Sequence, residues 1–422
     1  MTIVPKMSKN DVKLTGALTM FILSEHPQKG KLKIPIYVWL PDLSYLDDGC
    51  LLQVLNLSEL PFAVNRIVLM PDTHQGYGMP IGGVLATKDV IIPNAVGVDI
   101  GCGVAFVRTN LSYEAISSVL LNKWVEQILN RVPQGFSHHK IKQKVKCIDD
   151  FRLDFPEQRM IKNLWNELEN AAFQMGTLGG GNHFIEFQAD ESNQLCLMVH
   201  SGSRNFGYQI ARHFNQTARK KRKVWNSQLP ESYELDYLPD QSEDGKSYIA
   251  WMNLARAFAN ENRGHMMQSI LHILIQTFPM LEIIEEIDIH HNDANLEIHD
   301  HEAVWVHRKG AIKINKNEKG IVPGAMGRSS YVVRGKGNSD AYHSCAHGAG
   351  RAMSRKLAHR TYSLDAVMKE LSERDMIIGK RRMKDVAEEA PMAYKDIDFV
   401  IKQQSDLIDV ATKLTGKAVI KG

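Results

Sequence analysis

Val96 to Gly103 reads VGVDIGCG, which sets Asp99 and Cys102 three residues apart in a frame of glycines. A tight turn lets that carboxylate and thiolate face one point, and glycine bends there without steric cost. The pair begins a metal site that imidazoles must complete. The chain supplies them in similar glycine-marked settings: His183 in GGGNHFIE, His200 in VHSGSR and His291 in HHN. His290 and His291 are adjacent, so on a strand they point to opposite faces and only one can ligate. His291, which precedes Asn292, is the choice. Thiolate, imidazole and carboxylate together suit a divalent transition ion, and a bridging thiolate can hold two. Affinity order favours zinc over manganese in such a set, so the residues alone do not name the ion.

His347, in SCAHGAGR, is set differently. The glycine turn there is expected to open a helix, and helix N-termini attract phosphate. GGGNHF, MPIGGV at Met79 to Val84 and HGAGR are candidate phosphate turns, with Arg204, Arg351 and Arg355 to pair phosphate oxygens bidentately. A histidine beside such a turn and a metal can also act as a nucleophile, forming a phosphoramidate that splits one hard displacement into two easier ones. Cys147 and Cys196 read as packed thiols. His299, His301 and His307 read as surface or outer-layer groups.

Short apolar segments have to carry these residues. Lys33 to Leu40, Arg66 to Met70, Val104 to Arg108, His183 to Phe187 and Leu195 to His200 read as strands. Helical periodicity runs over Tyr113 to Val132, Glu157 to Met175, Ser247 to Phe278 and Asp396 to Leu414. The expectation is an α+β fold with mixed or antiparallel sheets surrounded by helices. The polar stretch Pro230 to Lys246 is the one linker-like passage, and candidate site residues on both sides of it argue for one large domain over 1–422.

At 422 residues with 44% hydrophobic and 23% charged residues, the chain can bury a large core and has ordinary globular composition. Net charge is only +3, but Arg351 to Lys384 holds ten Lys or Arg against four Asp or Glu, and Arg219 to Lys223 reads RKKRK. Charge runs usually belong to solvated faces; the first gains interest by adjoining His347. Five scattered cysteines without CxxC spacing fit reduced thiols. The opening MTIVPKMSKN lacks an apolar leader core, and no apolar run reaches bilayer length, so a cytoplasmic protein is expected.

PDTHQGYGMPIGG, VGVDIGCGV, LGGGNHFIE, VHSGSRNFG, HHN, VHRKGA, MGRSSYVVRG, SCAHGAGRAMSR and Lys421-Gly422 follow one another in the order that resembles the RtcB family of RNA ligases, from about Asp72 onward. The resemblance implies a GTP-dependent enzyme, acting in RNA repair or tRNA splicing, that joins RNA ending in a 3'-phosphate or 2',3'-cyclic phosphate to RNA with a 5'-hydroxyl. It implies two manganese ions sharing Cys102, one with Asp99 and His183 and the other with His200 and His291. His347 would be the guanylylated residue. Asn182, Glu186, Ser330, Gly348, Gly350 and Lys421 would join His347 in contacting the nucleotide, and Arg204, Arg351 and Arg355 would hold RNA. Asp72 and His74 match a DxHxGYG element beside the metals, and archease is a partner of some relatives. Ala325 stands in PGAMG where many members have serine, which removes one hydroxyl contact. The remaining alternatives are a metal-dependent phosphodiesterase or phosphatase, which would not need His347, and a non-catalytic RNA-binding protein, which would tolerate loss of Cys102. The first seventy residues offer no usable motif.

Overall fold

Alternation along single strands fixes the larger of two main sheets. A computed structural model describes residues 20–26, 30–225 and 227–422. Met1 to Asn10, the segment searched for a leader, lies outside the described residues. Along Gly103–Ser112, Val104 and Phe106 enter one apolar cluster while Ala105 and Val107 enter another, as a period of two requires. The second cluster is covered by Trp124 and Ile128 of helix Ser118–Arg131 and by Met266 and Ile270 of helix Glu243–Ile275. The first lies inside the sheet, which curls upon itself, and Val367 and Leu371 of helix Leu364–Ser372 help to fill it.

In spatial order the curled sheet runs Ile283–His290, Gly103–Ser112, Gln194–Ser201, Phe184–Asp190, Ile408–Lys421, Ser330–Gly335 and Lys319–Val322. Lys319 of the last strand pairs with Glu285 of the first, so the sheet is nearly a barrel. Strand Ile377–Gly379 lies parallel to Ile408–Lys421 off this path. A six-stranded sheet runs Phe21–His26, Gly30–Val38, Ala63–His74, Ile81–Thr87, Glu302–Lys309 and Asn292–His299. One residue, His291, separates strand Ile283–His290 of the curled sheet from Asn292–His299 of the other.

The five expected strands are present with shifted or longer ends, Lys33 to Leu40 stopping at Val38 and His183 to Phe187 starting at Phe184, and the mixed α+β class holds. Tyr113 to Val132 and Glu157 to Met175 each begin with a 3-10 turn before helices Ser118–Arg131 and Lys162–Gln174. Asp396 to Leu414 is corrected: helix Ile397–Gln403 stops, and strand Ile408–Lys421 follows. Leu414, Ala418, Val419 and Ile420 are fully buried between neighbouring strands, and ladder bonding with burial on both faces outweighs the local helical pattern. The Pro230 to Lys246 passage holds a short strand, Leu238–Pro239, and Ser242, which caps the long helix. Among the described residues no helix is long and apolar enough to cross a membrane.

Candidate active site

Antiparallel register gathers the motif residues at one rim of the curled sheet. His290 stands opposite Gly103, Gly103 opposite Ser201, Phe184 opposite His200, and Lys421 opposite Phe184. His291, Cys102, His200, His183 and Lys421 therefore lie at adjacent strand ends although the chain separates them widely. The six-stranded sheet brings Asp72 and His74 to the facing side. His347 arrives beside Gly310 because Ala311 pairs with Ala346.

Two donor groups result, Asp99 with Cys102 and His183, and Cys102 with His200 and His291. Cys102 Sγ lies 3.4 Å from His183 Nε2 and 3.5 Å from His200 Nε2. His183 Nε2 lies 2.9 Å from Asp99 Oδ2, and His200 Nε2 lies 3.1 Å from His291 Nε2. Outer partners set the tautomers. His183 Nδ1 donates to the Leu178 carbonyl at 3.0 Å, so with a cation in place of the Nε2 proton its Nε2 lone pair would face inward. Asn292 uses its amide nitrogen on the Asp99 carbonyl and its Oδ1 on Gly310 N, so His291 Nδ1 donates to that same Oδ1 at 3.1 Å. Gly202 is required beside Asp99, since a Cβ there would stand 2.2 Å from the carboxylate.

Burial, reinforced by the charge of Asp99, pushes the Cys102 thiol well up. Burial holds His200 and His291 well below their ordinary value. Burial also opposes ionisation of Asp99, but the His183 hydrogen bond and the charges of His183 and Arg204 more than offset it, and its carboxyl is held low. Neutral imidazoles facing a thiol that cannot ionise without a nearby cation are the donor set a divalent ion would satisfy.

Two adjacent buried residues of the long helix, with no local motif, brace this rim. Arg263 donates to the carbonyls of Gly101 at 3.0 Å and Ser201 at 3.1 Å, and forks onto Asp288. Asn262 accepts from Gly176 N at 2.7 Å and Thr177 N at 3.0 Å and donates to the Gly202 carbonyl at 3.2 Å. Together they tie the segments before His183, before Cys102 and after His200.

His347 stands next to the second donor group, its ring centroid 4.6 Å from that of His291. Its Nδ1 lies 2.6 Å from Asp72 Oδ2, which also accepts its backbone N–H at 3.1 Å. The two atoms are not aligned as a hydrogen bond, so Asp72 faces the ring as a neighbouring carboxylate, and a small rotation of the ring would let Nδ1 donate to it and leave the Nε2 lone pair free. Gly350, at φ 70°, lets the turn pass so close that a Cβ would stand 2.1 Å from the Asp72 carbonyl oxygen. His74 Nδ1 approaches the same carbonyl at 3.0 Å, and burial lowers its pKa to about 4. The turn does not open a helix: Gly348 to Ser354 is irregular, and the next helix, Arg355–Thr361, starts eight residues beyond His347.

Both groups open onto a cleft of about 1190 Å³, lined also by Asn182, Glu186, Lys309, Ala325, Tyr394 and Lys421. Burial raises Glu186 to about 7 and lowers Lys421 to about 8. Glu389, which no local motif marks, joins this side. It accepts from Arg355 Nε at 2.8 Å and from Tyr394, and lies 3.8 Å from Lys421 Nζ. Burial opposes its ionisation, but Lys421, Arg355 and Arg351 bring its pKa down to about 2. Lys309 of VHRKGA, unassigned by sequence reasoning, donates to Tyr77 O at 2.6 Å and Asn94 O at 3.1 Å, and burial lowers it to about 7.

The arginines differ. Arg355 is half exposed at the cleft and reaches Asn182 at 3.4 Å. Arg351 is turned onto Met353 O, Glu388 O, Glu389 and Tyr394. Arg204 donates to Thr177 Oγ1 at 3.1 Å and Gly135 O at 2.8 Å. Gly348 and Gly350 line the cleft, whereas Ser330 is buried behind it, its Oγ taking Gly324 N at 3.1 Å and Gln188 Nε2 at 3.2 Å. His299 and His307, expected at the surface or around the site, are buried in the six-stranded sheet: His299 pairs with Glu297, and His307 Nε2 accepts the Ile92 N–H. His301 is exposed. Helix Asp48–Ser58 brings Asp47, Asp48 and Gly49 to the cleft mouth, from a region without a motif.

The family model described as tRNA-splicing ligase RtcB matches residues 53–422. The RNA-splicing ligase RtcB of Escherichia coli strain K12 is 36% identical, over 88% of this chain and 93% of its own length. The tRNA-splicing ligase RtcB of Nanoarchaeum equitans is 32% identical, over 94% and 97%. The RNA-splicing ligase RtcB of Mycobacterium bovis is 30% identical, over 88% and 100%.

Proposed function

Because this chain belongs to the RtcB family and is an RNA ligase, we propose that it seals RNA 3'-phosphate or 2',3'-cyclic phosphate ends to 5'-hydroxyl ends through a guanylylated His347, with GTP as the activating nucleotide. The observation that carries this reading is the placement of His347, its Nδ1 2.6 Å from Asp72 Oδ2 and its ring centroid 4.6 Å from that of His291 in the second donor group. Asp99, Cys102 and His183 would hold one manganese ion, and Cys102, His200 and His291 the other. When bound, the ions would neutralise charge on phosphoryl oxygens.

His347 Nε2 attacks the α-phosphorus of GTP, forming a P–N bond as pyrophosphate leaves. Asp72, beside Nδ1, would stabilise the positive charge that develops on the ring. An oxygen of the RNA 3'-phosphate then takes the guanylate and frees His347. The RNA 5'-hydroxyl attacks the activated 3'-phosphorus, closing the phosphodiester and releasing GMP. A cyclic end is first opened by water to a 3'-phosphate. Glu186, Lys421 and Asn182 are suited to hold the guanylate, with Gly348 and Gly350 allowing its phosphate close to the backbone. Arg355 is suited to RNA phosphates at the cleft edge, with Arg204 and Arg351 behind it. Ser330 would act through Gln188 and Glu186. The reading further places the enzyme in the cytoplasm, as one catalytic domain whose cleft draws on both sheets, with archease as a candidate activator.

The test is incubation with manganese and GTP labelled on the α-phosphate, followed by denaturing electrophoresis and peptide mapping. Acid-labile label on His347, absent from His347→Ala and transferable to an RNA 3'-phosphate, is expected. Cleavage of RNA ends without any protein label would replace this reading with a metal-dependent hydrolase.

A further inference from the structure

Outside the cleft, residues 131–146, RVPQGFSHHKIKQKVK, contain five Lys or Arg and no Asp or Glu. In the basic run Arg219 to Lys223, three of the five cations meet acids within the fold: Arg219 and Arg222 face Asp236, and Lys221 pairs with Asp244. In the first segment Lys142 pairs with Glu169 and Lys146 with Asp150, whereas Arg131, Lys140 and Lys144 form no ion pair among the described residues. Phe136 is 105% exposed, a full aromatic ring in water.

Between the end of helix Ser118–Arg131 and the start of helix Lys146–Asp154 the segment lacks regular structure, yet its backbone is pinned. Gly135 N donates to Gly179 O, His139 N to Phe173 O and Gln143 N to Ala172 O, each at 2.9 Å. Gly179 belongs to the glycine loop before His183, and a Cβ on it would meet Arg204 at 1.9 Å and His183 Nδ1 at 2.5 Å. Arg204 in turn holds the Gly135 carbonyl at 2.8 Å. Phe136 thus follows directly on the outer wall of the loop whose inner wall seats His183. A fully exposed aromatic ring on a pinned backbone, flanked by unpaired cations, fits a flexible polyanion that carries flat bases.

We propose that this loop is a docking platform for single-stranded RNA adjoining the ligation junction, with Phe136 stacking on a base and Arg131, Lys140 and Lys144 following the phosphates. The inference rests on the RNA-ligase reading above. A base stacked on Phe136 places its strand beside the glycine loop, so the platform selects ends with unpaired nucleotides over ends buried in a duplex.

The test compares Phe136→Ala, Phe136→Trp and Phe136→Leu with the unaltered protein, using RNA pairs with unpaired ends and pairs whose ends are flush in a stem. Binding of a fluorescent 5'-hydroxyl oligonucleotide is followed by anisotropy. Phe136→Ala is expected to raise KM for unpaired ends about tenfold, with kcat and protein labelling by GTP unchanged. Trp is expected to restore binding and Leu to fail. Lys140→Ala with Lys144→Ala is expected to flatten the salt dependence of binding by about 1.4 units of slope, about 0.7 for each lost phosphate contact on a single strand. An unchanged KM for Phe136→Ala, or rescue by Leu equal to that by Trp, overturns the platform while leaving the ligase reading intact. An unaltered protein that binds the oligonucleotide through Phe136 but never seals overturns the ligase reading and leaves the platform standing.

Discussion

The rim that carries the two donor groups and the turn that carries His347 are built by opposite means. At the rim each candidate ligand sits at or beside a strand end, and backbone ladders across neighbouring strands fix their spacing before any side chain is considered. The turn leaves a three-residue strand and runs irregularly to Arg355. It is held at scattered points across the fold, by single backbone bonds (Ala349 N to Pro323 O, Ala352 N to Ala393 O, Lys395 N to Gly350 O) and by side chains, Asp72 on His347 and Glu389 on Arg351 and Arg355. A centre that must keep donors within ångströms of one another gains from a rigid lattice, and a nucleophile that must receive and release a nucleotide gains from a lighter tether.

The sharpest division between the regions should come from Cys102→Ala, which removes the thiolate common to both donor groups. Bound metal, measured by elemental analysis, and labelling by GTP are both expected to vanish, with ligation down more than about 1000-fold. Full metal content in that variant would sink the shared-ligand arrangement. His347→Ala is expected to lose label and ligation as completely while keeping its metal; loss of metal as well would mean the regions are one unit. Arg263→Lys keeps the charge but not the fork onto Gly101, Ser201 and Asp288. Metal affinity is expected to fall roughly 10- to 100-fold with little change in GTP affinity, as for other supports of metal ligands.

On the nucleotide side the pH dependence should be narrow. Glu186 gains its charge as pH rises through about 7, and Lys421 loses its charge as pH rises through about 8. Both are charged only between those values, so kcat/KM for guanylylation is expected to be bell-shaped with its maximum there. Glu186→Gln should erase the acid limb, and persistence of that limb would assign it elsewhere. The smallest effect is expected from Ala325→Ser, which restores one hydroxyl to the cleft wall. GTP affinity should improve by about 1 kcal/mol or less, read as a lower KM with unchanged metal binding.

The same contrast explains what could be read from the chain. Asp99, Cys102, His183, His200 and His291 were legible because turns at strand ends demand glycine, and glycine beside a ligand-type residue is a local pattern. Glu389, Tyr394 and Lys309 were not, since what makes them important is burial against charges far away in sequence. Arg263 and Asn262 were hidden for a related reason: within a helix of 33 residues they look like ordinary polar positions, and their importance lies in the loops they touch. The first half of strand Ile408–Lys421, up to Leu414, reads as helix because its environment, a strand on each side, is invisible locally. Ser330 shows the converse, a motif residue whose hydroxyl serves the layer behind the cleft.

Rung-by-rung alignment of the rim also dictates which genetic changes the family lineage of this chain can absorb. Within Gly103–Ser112, Gln194–Ser201 or Phe184–Asp190, gaining or losing one residue near the rim would slide a donor by about 3.3 Å and turn neighbouring side chains to the wrong face. At the opposite ends of those strands the same insertion displaces only a connection. Selection on this sheet should therefore act asymmetrically on chain length, with indels confined to the far edge and absent from the edge that ends in His200, Cys102 and His291.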